Sequence, residues 1–296
     1  MGILYGTVKQ KAEGLSEVTM IQTIAYGLTI GGILYIISIG LSLTFGTMRI
    51  VNFAHGFVYT IGAYLLISAL PFVRDNFFLG AVIAVAAVIP ISYVIERFVI
   101  RKLYGVSIDY AIIATYAVVL IGVDLTKWIW GASPIPLSDP IGHDISLFSV
   151  TLPMYRVLII LLALVIFGAL TVFFKKTIVG KIVTASLEDK DAVKSLGINV
   201  DKYFSIVFVI GSCLAALGGV LYAPITSVHP YMGMMVLLIS FAVVLVGGLG
   251  NIKGTFVSAF VLGLVMAITG RYYGPAAETM VFVVMGIVLI FKPVEV

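Results

Sequence analysis

The stretch Lys175–Lys202, KKTIVGKIVTASLEDKDAVKSLGINVDK, holds six lysines and four acids between two apolar runs. The rest of the chain is built for lipid: of 296 residues, 61% are hydrophobic and 11% charged. A soluble domain carries about 25% charged residues. With so few, this chain cannot cover a water-facing surface, and it reads as an all-α polytopic membrane protein. A charged island in such a chain implies that something soluble meets it, so residues 175–202 read as a docking surface.

Working outward from that island, apolar runs occur near 22–46, 51–70, 77–98, 110–130, 152–174, 203–223, 233–250, 254–270 and 278–292. About 20 apolar residues are needed to cross the hydrocarbon, which gives eight or nine transmembrane helices. The second and seventh runs are broken by polar or glycine-rich sequence. Residues 22–292 form one transmembrane domain that includes the 175–202 segment, preceded by a short amphipathic tail at 1–21. Basic residues mark cytoplasmic loops, so the turn with Arg97, Arg101 and Lys102 and the 175–202 loop are assigned to the cytoplasm. The 131–151 loop, with Asp139 and Asp144 but no Lys or Arg, is assigned outside. Its alternating run Ile145–Val150 predicts a short hairpin. An odd number of spans puts the N-terminus outside and the C-terminus inside, in agreement with Lys253 and Lys292.

The same composition excludes several function classes. The net charge of +4 reflects topology and not nucleic-acid binding. Cys213 is the single cysteine and lies in an apolar run, which argues against disulfides and cysteine metal sites. No glycine-lysine pair is followed by Ser or Thr, Gly180-Lys181 being followed by Ile182. The chain therefore lacks a phosphate-binding loop and is not expected to hydrolyse ATP. No cofactor bound by this chain is expected. His55 has no nucleophile at helical spacing, so an intramembrane enzyme finds no support.

Three groups of residues could carry function. In Arg49–Gly56, RIVNFAHG, the residues Asn52, His55 and Gly56 fall on one helical face with Tyr59. A polar face in an apolar span must turn towards protein or a water-filled cavity. It reads equally as a translocation-path lining or as a buried pair hydrogen-bonding between helices. Arg49 itself reads as an interfacial anchor. In VGGLGNIKGT, residues 246–255, the glycines Gly247, Gly248, Gly250 and Gly254 predict a tight turn pressed against a neighbouring backbone. The spacing is wrong for a dinucleotide fingerprint. In the charged island, Leu187 to Leu196 favours a short helix. Glu188 and Asp189 lie near its N-terminus, Asp191 can pair with Lys194, and Gly197 before Ile198 is a stop. Ala185, Ala192 and Leu196 give it an apolar stripe, and a helix this short needs a partner surface. Small residues four apart (Gly27 and Gly31; Ser38, Ser42 and Gly46; Gly211, Ala215 and Gly219) point to close helix packing. The look-alike pentapeptides Gly31–Tyr35 and Gly218–Tyr222 hint at an internal duplication.

Taken together, in this order and at these distances, the three groups resemble the permease subunits of ABC importers for branched-chain amino acids. RIVNFAHG at Arg49–Gly56 is the specific part. Ser186–Ile198 is similar to that family's coupling motif, carried here by Glu188, Asp189, Ala192, Gly197 and Ile198. The glycine turn matches a wider superfamily. The resemblance implies a type II ABC importer permease fold in the cytoplasmic (inner) cell membrane, in contact with lipid. It also implies a second homologous permease, two cytoplasmic ATPase subunits that use the ATP, and an extracytoplasmic solute-binding protein. The 131–151 loop and the 224–232 turn, with Pro224 and Pro230, are candidates for touching that delivery protein. Similar subunits carry urea, short amides or other amino acids. A stand-alone ion-coupled carrier is the other alternative. It usually keeps membrane-buried acids, and here Glu96, Asp109, Asp124 and Glu278 are few and mostly near span ends.

Overall fold

The computed structural model describes residues 2–147 and 150–291, with side chains described from Met20 onward except for residues 146–150. In chain order the helices are α1 (Gly2–Met48), α2 (Ala54–Ala69), α3 (Phe77–Phe98) and α4 (Ile108–Trp130). A two-stranded hairpin follows, β1 (Asp144–Leu147) and β2 (Val150–Pro153). Then come α5 (Met154–Lys176), α6 (Ile178–Glu188), α7 (Lys190–Ser195), α8 (Val200–Tyr222), α9 (Met232–Gly247), α10 (Ile252–Tyr272) and α11 (Ala277–Phe291). The antiparallel hairpin pairs Asp144 with Pro153 and Leu147 with Val150, as the alternating run predicts. Phe148, Ser149 and Lys292 lie outside the described residues, as do the side chains of residues 1–19 in the N-terminal tail.

Among the described residues, eight helices are long and apolar enough to cross a membrane, counting Met20–Met48 of α1 as the first. The seventh predicted span is shorter than expected. α9 has 16 residues, about 24 Å of helix against about 30 Å of hydrocarbon. The second is also displaced: the chain stays non-helical from Arg49 to Phe53, and α2 starts at Ala54. Arg49 takes a left-handed backbone, φ 52°, which ends α1.

α1 is the centre of the bundle. Its apolar window is 83% buried, against 6% for α11. It packs chiefly on α10 and α8, while α2 packs on α8, α3 and α9. Lipid gives no hydrophobic drive for helices to associate, so contact rests on close backbone approach. The small-residue series serves this purpose: Gly27 and Gly31 lie against Leu264 and Phe260 of α10, Gly46 against Gly250, and Gly211 against Gly40. The pentapeptides Gly31–Tyr35 and Gly218–Tyr222 occupy unlike places. Tyr35 is well inside α1, whereas Tyr222 is the last residue of α8.

Polar contacts tie the helix ends at both faces of the bundle. At one end, Trp130 Nε1 donates to Ser68 Oγ (2.8 Å) and Tyr155 OH donates to the Leu221 carbonyl (2.7 Å). The Ile135–Val228 bridge joins the 131–143 loop to the 223–231 loop at this same end. The other end carries α6 and α7. Lysine and arginine are not confined to the α6–α7 end, because Lys127 and Arg156 stand near the loops opposite. Each is engaged there: Lys127 with Asp124 (3.0 Å) and the Tyr231 ring, Arg156 over the Tyr26 ring (4.2 Å).

Candidate translocation junction and docking segment

The RIVNFAHG segment supplies the break between α1 and α2 and the first turn of α2. Its backbone is held by α4: Phe53 N–H donates to Thr115 Oγ1 (3.2 Å), and that hydroxyl donates back to the Ala111 carbonyl (2.7 Å). The structure brings Asn52, His55, Gly56 and Tyr59 together as a buried face. Asn52 is 2% exposed, His55 1% and Tyr59 0%. His55 Nε2 is 2.9 Å from the Ile37 carbonyl of α1. A carbonyl only accepts, so Nε2 carries the proton and the Nδ1 lone pair is left facing the interior. Among the described residues, His55 Nδ1, both side-chain polar atoms of Asn52 and the Tyr59 hydroxyl have no protein partner. Buried polar groups without partners cost about 1–3 kcal/mol each.

Gly56 forms the contact between α2 and α9. A methyl on Gly56 would meet the Gly233 carbonyl, and a methyl on Gly233 would collide with the Gly56 carbonyl. Thr60 bridges the two helices at this point. Its Oγ1 donates to the Gly56 carbonyl (3.1 Å) and accepts from Gly233 N–H (3.0 Å). Tyr59 is fixed against α8, its carbonyl occupying the space where a Gly219 side chain would be. The sequence pattern does not single out Thr60. A threonine in an apolar helix carries no periodic signal, and its partner is 173 residues away.

The glycine turn joins α9 to α10. Gly248 and Gly250 both adopt positive φ, 89° and 73°. Gly247 and Gly254 pack backbone to backbone, and Gly250 N–H donates to Ser42 Oγ of α1 (3.1 Å). Asn251 starts α10, its Oδ1 accepting from Gly254 N–H (3.0 Å).

The charged island folds into two short helices and not one. α6 ends at Glu188, and Asp189 breaks the chain with extended backbone (φ −149°, ψ 99°). The physical reason is local: Asp189 Oδ1 accepts from the Asp191 and Ala192 N–H groups (3.0 and 2.9 Å), making it the N-cap of α7. Gly197 then stops α7 with φ 80°. Ion pairing also differs from expectation. Lys190 pairs with Asp201 (3.4 Å), and among the described residues Asp191 and Lys194 form no ion pair. The predicted stripe is turned round as well. Val193 and Val183 are buried against the bundle, whereas Leu196 is 77% exposed and Leu187 43%. Ala185, Glu188, Asp189, Ala192 and Gly197 are all exposed, and Ile198 is half-buried. The segment thus presents carboxylates, lysines and two leucines outward while its inner side is fixed to the bundle. Among the described residues, no three His, Cys, Asp or Glu side chains form a metal-holding group.

Comparison with known proteins adds to this geometry. Residues 23–292 match the family model described as "Branched-chain amino acid transport system / permease component". The high-affinity branched-chain amino acid transport system permease protein LivH of Escherichia coli is 27% identical, over 92% of this chain and 94% of that protein. The corresponding permease protein BraD of Pseudomonas aeruginosa is 29% identical over the same shares. A probable LivH from Methanocaldococcus jannaschii is 26% identical over 83% of this chain and 80% of its own length. Among solved structures, PsaBC from Streptococcus pneumoniae in complex with Fab contains a chain that superposes with a TM-score of 0.52 at 14% identity. That match covers 95% of this chain and 94% of the other, a likeness of fold.

Proposed function

The chain belongs to the family of permease components of branched-chain amino acid transport systems, and from that premise we propose that it forms half of a transmembrane importer for leucine, isoleucine and valine. It is a multi-pass membrane permease, with eight helices of spanning length among the described residues. In this reading a second, homologous permease completes the pathway. Two cytoplasmic ATPases bind and hydrolyse the ATP, and a solute-binding protein delivers the amino acid from outside.

The observation that carries the proposal is the two-sided α6–α7 segment. Its inner residues Val183 and Val193 are packed on the bundle, while Leu187 and Leu196 face outward amid charges. Large apolar side chains among charges on a loop of a membrane protein suit a soluble partner that covers them. Glu188, Asp189, Ala192, Gly197 and Ile198 are proposed to form this contact. The joined loops around Ile135 and Val228, at the opposite end, are proposed as the delivery protein's contact. Asn52, His55, Gly56 and Tyr59 are proposed as path lining that closes in the present conformation. Their unpartnered polar atoms support this, because substrate or water reaching an opened junction would supply the missing hydrogen bonds.

Reconstitution tests the proposal. Proteoliposomes holding this chain, the second permease and both ATPases should accumulate leucine only when ATP and the binding protein are present. Glu188→Lys should lower recovery of the ATPases with the permease. Accumulation by this chain alone under a proton or sodium gradient would sink the reading in favour of a stand-alone carrier.

A further inference from the structure

We propose that Glu96 is a positioning residue that holds the α6–α7 segment in register with the α1–α2 break, so that movement of the segment reaches the junction; this rests on α6–α7 being the ATPase-docking segment. Glu96 lies two residues before the end of α3 and its side chain is fully buried. An ionised carboxylate in that position is costly unless fully hydrogen-bonded. Here Arg101 grips it with two donors, Nε at 3.0 Å and Nη2 at 2.9 Å. Tyr104 OH donates at 3.1 Å and Ser205 Oγ at 2.8 Å. The carboxylate therefore joins α3, the turn after it and α8. Burial and the adjacent Glu96 charge push the Tyr104 phenol well above its ordinary range, so it stays a donor.

Two further contacts extend the cluster in opposite directions. Towards the docking segment, Lys190 of α7 pairs with Asp201, one turn before Ser205, and lies over the rings of Tyr104 (5.4 Å) and Phe204 (5.1 Å). Towards the junction, Tyr104 OH is 3.7 Å from Met48 Sδ, the last residue of α1. Elsewhere, α7 and the end of α1 are separated by a cavity of about 370 Å³ lined by Met48, Arg49, Ile50, Leu187 and Lys190. A push on α7 would spend itself in that space unless a stiff element spans it. Tyr104, anchored on Glu96, lines the cavity and touches both sides. A buried bidentate ion pair adds little net stability over apolar packing, and its better-attested use is to fix register.

The test compares Glu96→Gln with wild type in the assembled complex with both ATPases, measuring leucine uptake and ATP hydrolysis together. Glutamine keeps the shape and removes the charge. The ATPases should still co-purify and hydrolysis should stay within about twofold, while uptake per ATP falls about tenfold, as for a coupling residue remote from both sites. Lys190→Met, at a partly exposed position, should give the same split, and the double variant should be no worse than either single one. If Glu96→Gln does not insert, Lys190→Met alone decides. Unchanged uptake per ATP, or uptake and hydrolysis falling in proportion, overturns the role of Glu96. Failure of the wild-type permease to retain the ATPases overturns the docking reading instead, and this inference with it.

Discussion

At Gly233 the neighbour imposes the glycine; at Gly197 the backbone does. The first lies where α2 and α9 touch, and any side chain there runs into the Gly56 carbonyl and Thr60. The second lies on the α6–α7 segment, where a side chain would find no neighbour within 4 Å, but its φ of 80° disfavours every other residue. The junction is thus specified by contacts between distant parts of the chain, and the α6–α7 segment by local chain geometry. A change at the junction should therefore be felt by the whole fold, and a change on the segment by the proposed partner alone.

The largest effect expected from this contrast is at the junction. Gly233→Val should abolish folded protein, since overpacking against backbone costs about 1–3 kcal/mol or more. Size-exclusion profiles of detergent extracts would show it. Gly168→Ala in α5, where a methyl meets nothing within 4 Å, should leave the profile intact; equal loss in both variants would break the comparison. Next comes Gly197→Pro. Proline cannot take positive φ, so the end of α7 should be remodelled. ATP-driven uptake should be lost while the amount of inserted protein matches wild type, and a parallel loss of insertion would place Gly197 in the fold and not at the docking surface. The smallest effect is sought at Tyr59→Phe, which deletes a buried hydroxyl without a protein partner. Thermal stability should hold or rise by up to about 1–3 kcal/mol, while the uptake rate falls. An unchanged rate would leave Tyr59 as packing only.

Features set by local chemistry are readable from the sequence. Hydropathy locates the long spans, alternation locates the β1–β2 hairpin, and Gly197 marks the end of α7. The break at Asp189 escapes such a reading, although its residue type suits an N-cap, because the residues around it favour a continuous helix. Splitting the segment also changes which side faces the bundle: Val193 turns inward and Leu196 outward. Long-range partnerships are not legible at all. Glu96 reads as an acid at the end of a span until Ser205, 109 residues on, is brought within 2.8 Å. The unpartnered atoms of Asn52 and Tyr59 are equally hidden, since only a three-dimensional arrangement can show that a polar group is both enclosed and unanswered.

The Thr60 hydroxyl serves two helices at once, giving its proton to one and receiving a proton from the other. The bond given stays within α2 and outlasts any parting from α9; the bond received is the one that crosses, so separating the two helices strips the Gly233 N–H of its partner. Parting there would strand one enclosed backbone donor, and a single oxygen atom decides whether it is answered.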